Sequence, residues 1–444
     1  MESFLQKYRG VSPYQAISLT FVALIAFGTL LLMLPIASKN GSSLSFLDAL
    51  FTATSASCVT GLVVVDTGNY FTTFGQMVII MLIQFGGLGL MTIATLFSIA
   101  IGKKIDLQER LRIQESLNES EVTGVVKKCL KIMRLTICIE FIFGTILAVH
   151  FYGILGLKGI YFGYWHAISA FCNAGFDLFG NFDSLVNFVQ DGTVNIVITS
   201  LIILGSMGFP VIEELVHTPK LSKLSLNAKI SLLATAGLII VGTGVFYFLE
   251  NGNTLANLDS GSKLLASYFQ AVTPRTAGFN TLPLDKLRPV SMLFVIVLMF
   301  IGASPASTGG GIKTTTFAVT VLTVRSLLQD KREIVVFNRQ LDNSYVSRSF
   351  VIVSLAVAWV IAATLLVAAF EPDELAVILF EVVSAFATVG LSTGLSQHLC
   401  AASKVVLIIT MYAGRVGILT FAMALTKKYA VNSIRYPKEK IMIG

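Results

Sequence analysis

A chain of 444 residues that is 55% hydrophobic and only 13% charged is not composed like a soluble domain, in which about a quarter of residues carry charge. Its net charge of +7 is gathered in a few loops, which points to membrane topology and away from nucleic-acid binding. Five cysteines without CxxC or metal-ligand spacing, and four histidines with none paired on a helix face, leave neither a disulfide framework nor a metal centre. With no GxSxG, no HExxH and no carboxylate cluster in an apolar span, the chain is not read as an enzyme.

Apolar stretches that could cross a bilayer, which takes about 20 residues, recur from end to end. They run over 16–36, 76–101, 135–155, 193–212, 230–249, 350–370 and 405–425, with a shorter run at 290–301. The first is too long for a signal peptide and is followed by "LPIASKNG", a poor cleavage site. Basic residues collect in 103–134, 220–229, 325–348 and 427–440. The alternate loops carry Asp177, Asp183, Asp191, Glu371, Asp373 and Glu374. The positive-inside rule then puts the basic loops and both termini in the cytoplasm.

After the first apolar span comes a short segment ending in "TSASCVTGL" (54–62). Three relatives follow: "ISAFCNAGFD" (168–177), "QAVTPRTAGFN" (270–280) and "SAFATVGLST" (384–393). Each follows a long apolar span and a partly apolar stretch too short to cross a bilayer. Each is succeeded by a further glycine: Gly86, Gly205, Gly302 and Gly414. The chain therefore reads as four copies of helix, short helix, glycine loop, helix. The repeats occupy 1–101, 135–215, 230–327 and 349–427. Cytoplasmic connections at 102–134, 216–229 and 328–348 join them, and a tail follows at 428–444.

Irregular backbone at membrane depth persists only where it is buried in protein or lines a watery path. Four glycine loops meeting on one axis satisfy that condition, and a ring of their carbonyls can replace the water shell of a cation. The short helices are expected to start at Ser45, Ser262 and Asp373 and to turn their negative C-terminal ends inward.

Two features depart from the repeat. In the third, "GASPASTGGGIKTTT" (302–316) interrupts the second helix, because Pro305 and Gly309–Gly311 do not sustain one. It is not a phosphate loop, since Ile312 separates the last glycine from Lys313. It is read as a polar loop below the glycine ring, able to obstruct ions. Arg415, within the last apolar stretch, costs about 2.5–3.5 kcal/mol at a bilayer centre and is expected to contact that loop. Arg275 is expected to anchor the third short helix.

The loops "CVTGL", "NAGFD", "TAGFN" and "TVGLS" resemble the degenerate filter of the Trk/Ktr/HKT superfamily. "TPRTAGFNT" and "ASPASTGGGIKTTT" place the resemblance nearest its Ktr branch, over essentially the whole chain. The resemblance implies an all-α integral membrane protein, with four helix–pore-loop–helix repeats around one pseudo-fourfold pore. It implies a potassium filter at Val59, Thr60 and Gly61; Asn173, Ala174 and Gly175; Thr276, Ala277 and Gly278; and Thr388, Val389 and Gly390. Glycine in all four loops is the pattern associated with potassium over sodium. The resemblance further implies a gate formed by Ala303, Ser304, Pro305, Ala306, Ser307, Thr308, Gly309, Gly310, Gly311, Ile312, Lys313 and Arg415. Potassium is the implied cargo, with no nucleotide on this subunit itself. The implied partners are a second copy in a homodimer, membrane lipid and a KtrA-like cytoplasmic ring of the nucleotide-binding RCK type, in a bacterial plasma membrane. The alternative is a sodium- or proton-coupled potassium symporter, against which stands the scarcity of acidic residues in the spans.

Overall fold

The computed structural model describes residues 13–89, 114, 124–218, 220–331, 333–425 and 439. The end of the predicted span 76–101, most of the connection 102–134 and nearly all of the tail 428–444 lie outside the described residues.

Helices dominate, as expected. The first repeat contains α1 (Pro13–Leu32), the short α2 (Phe46–Ser57) and α3 (Thr73–Leu88). The second contains α4 (Val125–Leu155), the short α5 (Leu157–Phe171), α6 (Gly192–Ser206) and α7 (Phe209–His217). The third has α8 (Leu226–Glu250), the short α9 (Ser260–Val272), α10 (Pro289–Phe300) and α11 (Thr314–Leu328). The fourth has α12 (Asn343–Ala368), the short α13 (Leu375–Phe386), α14 (Ala401–Val416) and α15 (Ile418–Leu425). A two-residue hairpin, β1 (Val335–Val336) and β2 (Arg339–Gln340), sits in the connection before α12.

Among the described residues, α1, α4, α8 and α12 are long and apolar enough to cross a membrane. At about 1.5 Å per residue the four short helices reach only part of the way. Two of them begin at side-chain caps, one not the residue expected, and α5 begins at Gly156 without one. Ser45 caps α2, accepting from the Asp48 N–H. Asp259, not Ser262, caps α9, accepting from the Gly261 and Ser262 N–H groups. The residue before α13 is Glu374, not Asp373, and its side chain makes no capping bond.

The apolar stretches 193–212 and 405–425 do not form continuous helices. The chain turns by 100° between α6 and α7 and by 101° between α14 and α15. Each turn is made at a glycine of positive φ, Gly208 (89°) and Gly417 (92°), and Gly89 (83°) ends α3 in the same way. Each lies three residues after a glycine that meets the end of a short helix. A methyl group on Gly86, Gly205 or Gly414 would overlap the carbonyl oxygen of Ser57, Phe171 or Phe386, the last residues of α2, α5 and α13. Three second helices thus cross the tips of three short helices at backbone contact distance. Gly302 departs from this pattern, because it faces Gly310 of its own broken segment.

Adding a methyl at this crossing forces two backbones apart. Gly414→Ala is expected to destabilise the protein by about 1–3 kcal/mol. Gly237→Ala, in α8 with open space around it, is expected to be neutral or stabilising by up to about 1 kcal/mol. Fluorescence-detected melting of the two purified variants against the parent checks this.

Candidate functional site

The four loops share one backbone pattern. Val59, Asn173, Thr276 and Thr388 have φ of 57°, 59°, 70° and 51°. The glycines two residues on, Gly61, Gly175, Gly278 and Gly390, have φ of 95°, 70°, 82° and 90°. Positive φ is costly for residues other than glycine, so side chains must hold the loops in place. In the first and fourth loops a short-helix serine does so from both its ends. Ser55 O accepts from the Thr60 N–H (2.8 Å) and Ser55 Oγ from the Gly61 N–H (3.1 Å). Ser384 repeats both bonds with Val389 (2.8 Å) and Gly390 (3.1 Å). In the second loop Ser169 O accepts from Ala174 (2.8 Å), while its hydroxyl donates to Phe176 O (2.8 Å). The third loop is one residue tighter: Ala277 N–H donates to Thr273 O (3.0 Å) and Thr273 Oγ1 to Phe279 O (2.5 Å).

The sequence reading missed these serines. Their signal was present, since each stands six residues before its glycine in "SASCVTG", "SAFCNAG" and "SAFATVG".

The glycines close a ring. A Cβ on Gly175 would stand 2.7 Å from Ala277 O, and one on Gly278 2.5 Å from Val389 O. One on Gly61 would overlap Ala174 O, and one on Gly390 would overlap Thr60 O. The order is first to second to third to fourth and back to first. The residues between, Thr60, Ala174, Ala277 and Val389, are all fully buried.

A cavity of about 320 Å³ opens on one side of the ring, lined by all four glycines and by Asp66, Asp177, Asp183 and Asp285, with no basic residue among the described residues. A second, of about 300 Å³, lies on the other side and is lined by Lys313, Arg348 and Arg415, with no acidic residue among the described residues. Between that cavity and the ring runs the segment from Ile301 to Lys313. Ile301 pairs with Ile312, and the Gly302 N–H donates to Ile312 O (2.8 Å). The Ser304 and Thr308 N–H groups donate to Ser206 O (3.0 Å) and Gly205 O (3.3 Å) of α6, and Ala306 O accepts from the Phe209 N–H (2.9 Å). Its tip touches the base of two loops. The Gly310 N–H donates to Thr388 Oγ1 (3.1 Å), and a Cβ on Gly309 would overlap Thr276 Oγ1. Lys313 Nζ folds back on Gly309 O (2.6 Å).

Arg415 meets the segment as expected. Its guanidinium donates to Thr308 O and also to Gly86 O and Gly87 O (3.2 Å). It therefore bridges the third repeat's broken segment and the end of α3, and these partners are carbonyls, not a carboxylate. Arg275 is buried and donates to Thr235 Oγ1 of α8 (3.0 Å). It does not line the acidic cavity. Glu140, buried in α4, was not singled out from the sequence and accepts from Gln84 Nε2 of α3 (3.1 and 3.2 Å). The two residues belong to different repeats, so no local pattern announces the pair.

Four short helices converge on a closed backbone ring between an acidic and a basic cavity, inside a helical membrane protein. The profile of the family described as "TrkH: Cation transport protein" matches residues 4–434, and the chain belongs to that family. It is 42% identical to the Ktr system potassium uptake protein B of Bacillus subtilis, over 99% of this chain and 98% of that one. It is 38% identical to the potassium/sodium uptake protein NtpJ of Enterococcus hirae, over 98% of both. The crystal structure of the potassium transporter TrkH from Vibrio parahaemolyticus has the same fold, with a TM-score of 0.76 and 19% identity over 95% of this chain and 86% of that one.

Burial, with Asp66 and Asp183 nearby, pushes the Asp177 carboxyl up to about 7. It is ionised above that pH and neutral below it, so acidification on its side removes one negative charge from the cavity. Cation affinity measured from that side is expected to weaken roughly threefold between about pH 8 and about pH 6. Asp177→Asn is expected to flatten this dependence. Rubidium uptake into vesicles at varied pH checks both.

Proposed function

We propose that the protein takes up potassium across the cell membrane through a channel-like pore, with the four glycine loops as its selectivity filter. The observation that carries this is the closed ring. Left-handed backbone at two of every three loop residues turns successive carbonyls to one side, and the glycines bring Thr60, Ala174, Ala277 and Val389 together around one axis. Such carbonyls replace a cation's hydration shell, and the C-terminal ends of four short helices add negative potential beneath them. The acidic cavity then faces outward and concentrates cations, and the basic loops face the cytoplasm.

The segment Ala303–Lys313 is proposed as the gate and Arg415 as its latch. At roughly 8 Å and an effective dielectric of about 20, a guanidinium opposes a potassium ion by about 2 kcal/mol. The loop's bonds to α6, Thr388 and Arg415 support a closed position across the path. A homodimer on a cytoplasmic nucleotide-binding RCK-type ring is proposed as the assembly. Support comes from the resemblance and from a relative whose name refers to a Ktr system.

Liposomes holding the purified protein under a potassium gradient alone test the pore. Potassium flux without a sodium or proton gradient is expected. Flux that appears only with one of those gradients would establish the coupled reading, which the potassium/sodium name of one relative favours.

Two sets of variants probe the parts. Gly278→Ser places a side chain at φ 82° against Val389 O and is expected to lower potassium-over-sodium preference while the protein still inserts. Shortening 303–313, or Arg415→Ala, is expected to raise flux up to about thirtyfold without any cytoplasmic partner, since 1.4 kcal/mol is a factor of ten. Folded variants that conduct no faster than the parent would make the loop a structural element.

A further inference from the structure

Nine residues before each ring glycine, on the four short helices, stand Thr52, His166, Phe269 and Glu381. All four are buried, yet they act differently on the limb that leaves the ring. His166 Nε2 accepts from the Leu178 N–H (3.3 Å), and its Nδ1 meets Phe162 O (2.7 Å). Glu381 Oε1 accepts from Ser392 Oγ (2.8 Å), from the Ser396 N–H (3.1 Å) and from the Ser396 hydroxyl. Among the described residues the Thr52 hydroxyl has no partner, and Phe269 has no polar group to offer. Ionisable side chains therefore brace the second and fourth loops, which oppose each other across the ring, and not the first and third.

In the fourth repeat the brace is a clamp. Glu381 and Ser384 are three apart and so share one face of α13. Ser384 holds Gly390 by its N–H, and Glu381 holds Ser392 two residues further on. One helix face thus grips the chain on both sides of the ring glycine. Ser392 in turn accepts from the Gly394 N–H (3.0 Å), and this limb lines the acidic cavity.

We propose that Glu381 is a positioning residue. Through Ser392 and Ser396 it fixes where the carbonyls of the fourth loop stand, and so helps to set the ring's preference among alkali cations. The role is that of a hydrogen-bond acceptor, because all three donors converge on one oxygen. The inference rests on the potassium-pore reading above.

The test reconstitutes full-length parent, Glu381→Gln and Glu381→Leu into the same liposomes and measures KM and maximal rate for potassium and for sodium. Glu381→Leu leaves a buried amide and two hydroxyls without their acceptor. It is expected to raise the potassium KM about tenfold and to narrow the potassium-over-sodium preference more than it lowers the maximal rate. Glu381→Gln keeps an oxygen acceptor and is expected to recover most of both. A folded Glu381→Leu protein with parental KM and preference overturns the inference, as does a Glu381→Gln protein as impaired as the leucine variant. Should Glu381→Leu fail to fold, Ser396→Ala removes one hydroxyl donor to Glu381 and keeps the Ser396 N–H. A shift of KM in the same direction is then expected, and an unchanged KM overturns the inference. A parent without potassium flux removes the pore reading and this inference with it, whereas parental flux with unchanged variants overturns the inference alone.

Discussion

Backbone meets backbone with no side chain between where this protein's repeats join at the ring and where three of the repeats fold on themselves. Four ring glycines lie against the carbonyl preceding the next ring glycine, and Gly86, Gly205 and Gly414 lie against the ends of three short helices. At these distances a single methyl group overlaps an oxygen. Crowding of this kind is unfavourable in a hydrocarbon core unless something compensates, because exposed carbonyls there cost several kcal/mol each. Ser55 and Ser384 each satisfy two loop N–H groups, and Ser169 and Thr273 one each through their carbonyls. Glycine is needed twice over in the ring, for the close approach and for the positive φ.

The third repeat shows what happens when one contact in the set is given up. Gly302 turns to Gly310 instead of to a short-helix end, and the helix that would follow is replaced by a segment lying across the base of the ring. That segment is held by many weak bonds: carbonyls of α6, the Thr388 hydroxyl and the Arg415 guanidinium. None of these is an ion pair, and each is worth only about 0.5–3 kcal/mol net. Arg415 also reaches Gly86 and Gly87, and so ties the loop to the end of α3. The charge pattern runs the same way, with four aspartates on one side of the ring and three basic residues on the other.

Much of this was legible in the residues. The loops announced themselves by repetition of glycine after a short segment, and Pro305 with three consecutive glycines announced the broken helix. What stayed hidden depends on contacts between distant parts of the chain. The turns at Gly208 and Gly417 lie inside stretches of high mean hydropathy, "GFPVI" and "VGILTF", and hydropathy does not register a change of direction. The caps were misplaced within a few residues because Asp259 and Ser262 stand one turn apart, and either could cap. Glu140 was missed as a partner because Gln84 lies 56 residues away in another repeat. The bracing serines are readable in the sequence, because each stands six residues before its ring glycine.

The central claim is that the carbonyls of Thr60, Ala174, Ala277 and Val389 bind a dehydrated potassium ion on a common axis. Anomalous diffraction from crystals grown with rubidium or thallium in place of potassium tests it most directly. The account predicts anomalous density on that axis within the ring, lost when sodium alone is present. Ordered density for the loops with no anomalous peak among these four carbonyls would contradict it.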